Sequence, residues 1–185
     1  MKKVLLATLL SAAVASPVWA ADYRIDDQGA HASINFKVKH LGYSWLTGRF
    51  NTFSGNFSYD SANVEASKIA VDIDTNSVDS NHAKRDKHLR SADFLEVDKY
   101  PEATFVSTEF KVTGDGEMIV YGDFTLRGIT KRIAIEATKV GEGQDPWGGY
   151  RAGFEGLAEI DMADYGFATD FGTVLLELHV EGIRI

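Results

Sequence analysis

The chain has no cysteine. That absence excludes disulfides, a thiol nucleophile, thiolate metal ligation and covalent c-type haem attachment. It also excludes an anchor lipid carried on a cysteine. Basic residues are outnumbered: 19 Lys and Arg stand against 27 Asp and Glu, for a net charge of −8. Nucleic-acid binding calls for the opposite balance. No apolar run reaches the roughly 20 residues needed to span a bilayer, so no stable membrane insertion is expected. Nucleophile elbow, phosphate loop and His-Glu-x-x-His are all missing. Asp72 to Asn76 opens like a calcium loop, but Ser77 stands where the turn glycine belongs and Ala83 where the final Glu belongs. Linkers, low-complexity stretches and fixed-period repeats are absent too, and the length suits one domain.

The first twenty residues read as an export signal. Lys2 and Lys3 precede a mostly apolar stretch, Val4 to Ala15, and Val18 and Ala20 occupy the −3 and −1 positions of a cleavage site. The expectation is a cleaved leader over residues 1–20, a periplasmic location, and one domain over residues 21–185. With Lys2 and Lys3 gone, that domain carries −10.

What the remaining chain does have is a two-residue rhythm. Phe53, Gly55, Phe57 and Tyr59 alternate with polar residues; so do Ile69, Val71 and Ile73, and Ala152, Phe154, Ala158 and Ile160. Period two marks a strand with one buried face, and clean alternation favours antiparallel sheets. Strands are expected at Tyr23–Ile25, Ser33–His40, Phe50–Tyr59, Ile69–Asp74, Thr104–Val112, Met118–Leu126, Ile133–Val140, Tyr150–Asp161 and Val174–Ile185. Gly114-Asp115-Gly116 and Arg127 to Thr130 read as tight connections, and Gly141 to Gly149 as a longer loop. The fold class is all-β: about eight strands in an antiparallel up-and-down barrel, wide enough for one ligand. A two-sheet sandwich with a dry core is the competing architecture. Val174–Ile185, as a long edge strand, permits a homodimer.

One segment breaks the rhythm. Residues 80–95 form a short helical insertion, with Asp79, Ser80 or Asn81 as the expected cap. It is strongly basic within an acidic chain: Lys84, Arg85, Lys87 and Arg90, with His82 and His88. Those cations form either a solvated face or a lid offering charge to an anionic ligand head. The two histidines point about 120° apart on a helix and do not readily share a metal; no metal and no cofactor are expected.

Several longer blocks resemble the YceI-like, polyisoprenoid-binding family. They are Tyr23-x-Ile25-Asp26, His31 to Gly42, Gly48-Arg49-Phe50, Arg85 to Leu95 followed by Lys99-Tyr100-Pro101, Gly122 to Thr130, and Asp145-Pro146-Trp147-Gly148. The resemblance covers essentially all of residues 21–185. It implies an extended lipocalin-like barrel, often periplasmic, holding a long isoprenoid or similar amphiphile in a deep apolar pocket.

On that reading the apolar wall consists of Phe36, Val38, Phe53, Phe57, Ile69, Val71, Ile73, Phe105, Phe124 and Phe154. Any single inward Phe is more often plain core than ligand wall. Arg85, His88 and Arg90 are expected near one end, with Asp86 and Asp93 as their partners. A phosphate head would use the arginines; a quinone head needs only a neutral donor such as His88, Tyr100 or Trp147. The expected function is a non-enzymatic periplasmic lipid carrier. The competing class is a soluble enzyme or a chaperone-like stress protein on the same barrel.

Overall fold

The alternating segments pair antiparallel throughout. The computed structural model describes residues 20–29, 31–167 and 171–185; the leader with Val4–Ala15 lies outside them. Among the described residues the strands are β1 (Ala21–Ile25), β2 (Ser33–His40), β3 (Ser44–Phe50), β4 (Phe53–Tyr59), β5 (Lys68–Asp74), β6 (Val78–Asp79), β7 (Glu102–Val112), β8 (Glu117–Leu126), β9 (Ile129–Gln144), β10 (Tyr150–Asp161) and β11 (Thr173–Arg184). One helix, α1 (Ala83–Arg90), follows β6.

Eight of these strands close a ring in the order β1–β4–β5–β7–β8–β9–β10–β11, with β11 pairing back to β1. The architecture is therefore a closed barrel, not a sandwich. β2, β3 and β6 prolong staves and add no new ones. β1 pairs with β11 at Gly182–Arg184, and β2 takes over along the same side of β11 at Val174–His179. The pair is one stave broken between Ile25 and Ser33. β3 and β4 are halves of the next stave, parted at Asn51-Thr52. β5 and β6 are parted by the 3-10 turn Thr75–Ser77.

Four sequence expectations need correction. Strand β3 went unread because its inward parity, Ser44-Leu46-Gly48-Phe50, holds a serine and a glycine, while Trp45 sits outward. Phe50 closes β3 and does not begin β4. Strand β9 continues through Gly141 to Gln144, pairing with Tyr150–Gly153, so the loop shrinks to residues 145–149. Closure leaves β11 flanked by β10 on one side and by β1 and β2 on the other, so it offers no free edge for a partner. The helix cap is His82, whose Nδ1 accepts from the Arg85 amide at 3.2 Å; Asp79 instead accepts from the Asn81 amide at 2.8 Å.

The two barrel ends differ. At one end the β7–β8 and β9–β10 turns are tight. A packed floor lies above them: Tyr23 stacks on Phe57 at 4.7 Å, and Phe57 and Tyr59 meet Phe154 edge-on at 5.7 and 5.0 Å. At the other end lie the β2–β3 hairpin, the α1 segment and the 3-10 turn Met162–Tyr165 that follows β10. Three Phe rings lie over strand glycines, Phe36 on Gly48, Phe105 on Gly122 and Phe57 on Gly182. A Cβ on Gly48 would fall 2.3 Å from Phe36 Cζ; one on Gly122 would fall 2.4 Å from Phe105 Cζ and 2.6 Å from the Val106 carbonyl oxygen. Gly is used here for close approach, letting an aromatic ring fill the inner surface.

The break between β1 and β2 is pinned by charge. Arg151 Nη1 donates to Asp26 Oδ2 and Glu181 Oε1, both at 2.6 Å, and its Nε donates to Asp145 Oδ2 at 3.0 Å. His31 Nδ1 lies 3.1 Å from Asp26 Oδ2, and the Gly29 amide donates to Asp26 Oδ1 at 2.8 Å. The Arg151 hydrogen bond outweighs burial and holds the Asp26 carboxyl at about 2; the same pairing raises Arg151 above its usual value.

Two outcomes follow from these contacts. Gly122→Val is expected to lower stability by roughly 1–3 kcal/mol, because its neighbour on one side is backbone; a urea midpoint equal to wild type would remove the close-approach account. For Asp26 the folded value lies below the unfolded one. Its stabilisation, about 2 kcal/mol at most, is therefore complete above roughly pH 4 and is lost as pH falls through about 2. Urea titrations across that window should show the difference between wild type and Asp26→Asn shrinking toward zero on acidification.

Candidate ligand-binding cavity

Inside the barrel, above the floor, is a cavity of about 690 Å³. This is within the roughly 300–1,000 Å³ usual for small-molecule sites. Its wall is drawn from inward positions of many staves: Ile34, Phe36 and Val38 from β2, Ile69, Val71 and Ile73 from β5, and Leu176, Leu178 and Val180 from β11 among them. Beneath it a smaller space of about 80 Å³ shares Ile69, Phe105, Ile135, Leu178 and Val180 with the main cavity and reaches Phe57 and Phe154.

The polar residues around the main cavity are Lys39, His40, Ser44, Arg85, His88 and His179. All but His179 belong to the mouth; His179 takes the outward parity of β11 and is exposed. The lumen proper is therefore apolar, and polarity is confined to the opening. Aromatic groups edge that opening: His88 meets Phe94 edge-on at 4.9 Å, and Phe94 stacks on Phe171 at 6.0 Å.

Helix α1 has no apolar stripe, and polar contacts hold it. Buried Asp86 accepts from the Ser80 amide at 2.7 Å and from the Ser80 hydroxyl. Burial would raise this carboxyl, but the Ser80 hydrogen bonds prevail and lower it. Arg85 Nε donates to Ser80 Oγ at 2.7 Å, and its Nη2 donates to the Ser80 carbonyl at 2.6 Å. This fixes the guanidinium while leaving it on the cavity lining. His88 Nε2 lies 3.0 Å from Asp93 Oδ2.

The structure sorts the residues named from sequence. Phe36, Val38, Phe53, Ile69, Val71, Ile73, Phe105 and Phe124 line the main cavity. Phe57 and Phe154 face inward as floor, beside the smaller space. Arg85 and His88 reach the mouth. Three head-group candidates do not. Arg90 is spent on backbone, its Nη1 donating to the carbonyls of Asn76 at 3.2 Å and Val78 at 2.9 Å. The Tyr100 ring packs on Gly128, and its carbonyl accepts from the Thr75 hydroxyl at 2.7 Å. Trp147 lies in the turn at the floor end, exposed, with Arg151 over its ring at 5.4 Å. Of the expected partners, Asp93 does pair with His88, whereas Asp86 accepts from Ser80 and not from Arg85.

Leu46 and Phe50 also line the cavity, and the sequence pattern does not reveal them because β3 carries no clear alternation. It also hides the β11 wall. There Val174, Leu176, Leu178 and Val180 do alternate, but apolar Leu175 blurs the period.

Comparison with known proteins gives one family. A family model described as YceI-like domain matches residues 23–181. A UPF0312 protein of Shewanella sp. (strain ANA-3) is 58% identical over 190 residues, covering 100% of both chains. The YCEI protein of Campylobacter jejuni superposes with a TM-score of 0.73 at 28% identity, covering 80% of this chain and 91% of that one. A polyisoprenoid binding domain from Saccharophagus degradans gives a TM-score of 0.65 at 18% identity, covering 90% and 100%.

If the cavity is solvent-reachable and apolar, an environment-sensitive apolar dye should bind and brighten. Val71→Trp fills the lumen from its wall and is expected to weaken dye binding about tenfold or more, with the strand spectrum unchanged. Undiminished dye binding in a folded Val71→Trp protein would locate the dye elsewhere.

Proposed function

The chain belongs to the YceI-like family, and on that premise we propose that it is a non-enzymatic carrier of a long isoprenoid or similar amphiphile, exported to the periplasm. The apolar tail occupies the barrel lumen and the head stays at the mouth beside Arg85 and His88. One observation carries this reading: the cavity of about 690 Å³ is apolar within and polar only at its opening. A catalytic site would need convergent polar groups at depth. The polyisoprenoid-binding neighbour from Saccharophagus degradans supports the ligand class through fold. Export rests on Lys2, Lys3, Val4–Ala15 and the Val18/Ala20 junction.

The energetics suit such a ligand. Removing one five-carbon isoprene unit from water stabilises the complex by at most about 3–4 kcal/mol, and chain ordering offsets much of it. Affinity then grows with tail length, and the head contributes selection. Because Ser80 holds Arg85 in place, its guanidinium suits an anionic head through charge-assisted hydrogen bonds.

Organic extraction of the purified protein followed by mass spectrometry is expected to release a long-chain amphiphile. Its absence after expression in an isoprenoid-producing host would sink the carrier reading. For an anionic head, Arg85→Gln with His88→Gln should weaken binding and flatten its dependence on salt. Unchanged affinity and salt response would make the head neutral, or place it away from α1.

A further inference from the structure

We infer that the mouth of the barrel is also a membrane-docking surface, which seats on a bilayer rich in anionic phospholipid and aligns the cavity with it. The inference builds on the carrier reading but rests on separate residues. Large apolar side chains are exposed at the opening itself: Leu41 is 67% exposed, Tyr43 88%, Trp45 48% and Phe171 38%. Leu41 and Phe171 also line the cavity, so the exposed apolar side chains adjoin the lumen, while Trp45 stands on the outward parity of β3 opposite Lys39. Exposed apolar clusters of this kind mark interaction sites, whereas single exposed residues do not.

The backbone presents these side chains at a cost. The β2–β3 hairpin turns through Leu41 at φ 51° and Gly42 at φ 80°. A glycine in the left-handed region is unremarkable, but a leucine there is strained, and such strain collects at functional sites. The turn holds Leu41 and Tyr43 at its tip, and the Tyr43 amide donates to the His40 carbonyl at 3.0 Å.

Charge selects the occupant. The whole chain carries −8, yet the hairpin and helix sides of the mouth bear the lysines Lys37, Lys39, Lys84 and Lys87. Lys37 and Lys39 both lie over the Trp45 ring, at 5.7 and 5.6 Å. Lys37 is paired with Glu177. Among the described residues, no carboxylate lies within 4.0 Å of the ammonium of Lys39, Lys84 or Lys87. On α1 the sole acid is the buried Asp86, and nearby Asp93 is matched by His88. Trp and Tyr beside lysines, at the rim of an apolar surface, match the chemistry of a bilayer interface, where aromatic rings sit at headgroup depth and lysines meet anionic heads. A protein partner would need a shaped counterpart; a bilayer needs only this composition.

The test is flotation with vesicles of phosphatidylglycerol in phosphatidylethanolamine, against pure phosphatidylcholine vesicles. The protein should float with the anionic vesicles at low salt and be released by high salt. Leu41→Ser with Tyr43→Ser, and separately Lys39→Glu with Lys84→Glu, should each reduce bound protein about tenfold or more, with unchanged unfolding midpoints. Tryptophan emission should shift to the blue on vesicle binding in Trp147→Phe but not in Trp45→Phe. No flotation, flotation untouched by both double variants, or a shift that follows Trp147 would each overturn the inference. Extraction of the same preparations separates the two readings. Protein that floats but yields no lipid removes the carrier function and keeps the docking surface. Protein that yields lipid but never floats does the reverse.

Discussion

The barrel depends on the exchange of partners along β11. One side of that strand is covered by β1 near the floor and by β2 toward the mouth, and the two are joined by a turn that must leave the sheet and return in register. Four charged groups make this possible. Arg151 reaches from β10 to Asp26 in the turn, to Glu181 on β11 and to Asp145 in the β9–β10 turn. One guanidinium thus ties three elements at the level where the stave breaks. Its planar fork suits this, since its donors address several carboxylates without bending. The cluster of Asp26, Glu181 and His31 has the spacing of a cation site, and the cation it holds is Arg151. Breaking the pairing from one side would leave buried charge unmatched, which costs more than the pairing itself contributes.

Closure has a second consequence. Antiparallel alternation turns one parity of each stave inward, mostly apolar side chains with glycine where a ring needs room, and eight staves enclose a lumen. At the floor the lumen is filled by Tyr23, Phe57, Tyr59 and Phe154, two of them packed where Gly182 leaves room. Toward the mouth the wall residues are of similar character, yet no side chain from the opposite wall closes the space. The difference lies in what the breaks introduce. The connection from β6 through α1 to β7 brings Arg85, His88, Leu89, Phe94 and Leu95 to the cavity lining. The resulting cavity is apolar by construction, because the pattern that lets strands form a barrel also makes its inside greasy.

Much of this was legible in the sequence, for reasons specific to residues. Strands β4, β5, β8 and β10 carry alternation strong enough to place part of the wall, but the number of strands left barrel and sandwich both open. β3 was not legible, because Gly48 makes room for the Phe36 ring and so carries no apolar signal of its own. The extension of β9 was hidden by Gly141 and Gly143, which read as loop residues but pair with Gly153 and Arg151. The basic helix was visible as composition only. Composition does not reveal that Arg90 is bonded to the carbonyls of Asn76 and Val78, or that Arg85 is held by Ser80. Those assignments depend on where the chain returns after β6, which is a tertiary fact.

The cations at the mouth fall into two kinds, and their geometry suggests different work. Arg85 and Arg90 are fixed by hydrogen bonds to the segment before the helix, so they lose little freedom when a ligand arrives; of the two, Arg85 alone faces the cavity. Lys39, Lys84 and Lys87 are exposed, and their fields are screened by salt within about 8 Å at physiological ionic strength. A fixed guanidinium at the opening distinguishes one head from another, since orientation is already set before binding. Exposed ammonium groups cannot do that, but they attract any anionic surface that comes near. Screening also explains how an acidic protein keeps a basic face: beyond a Debye length the surplus carboxylates elsewhere contribute little at the mouth. Recognition and approach are thus separated by how tightly each charge is held.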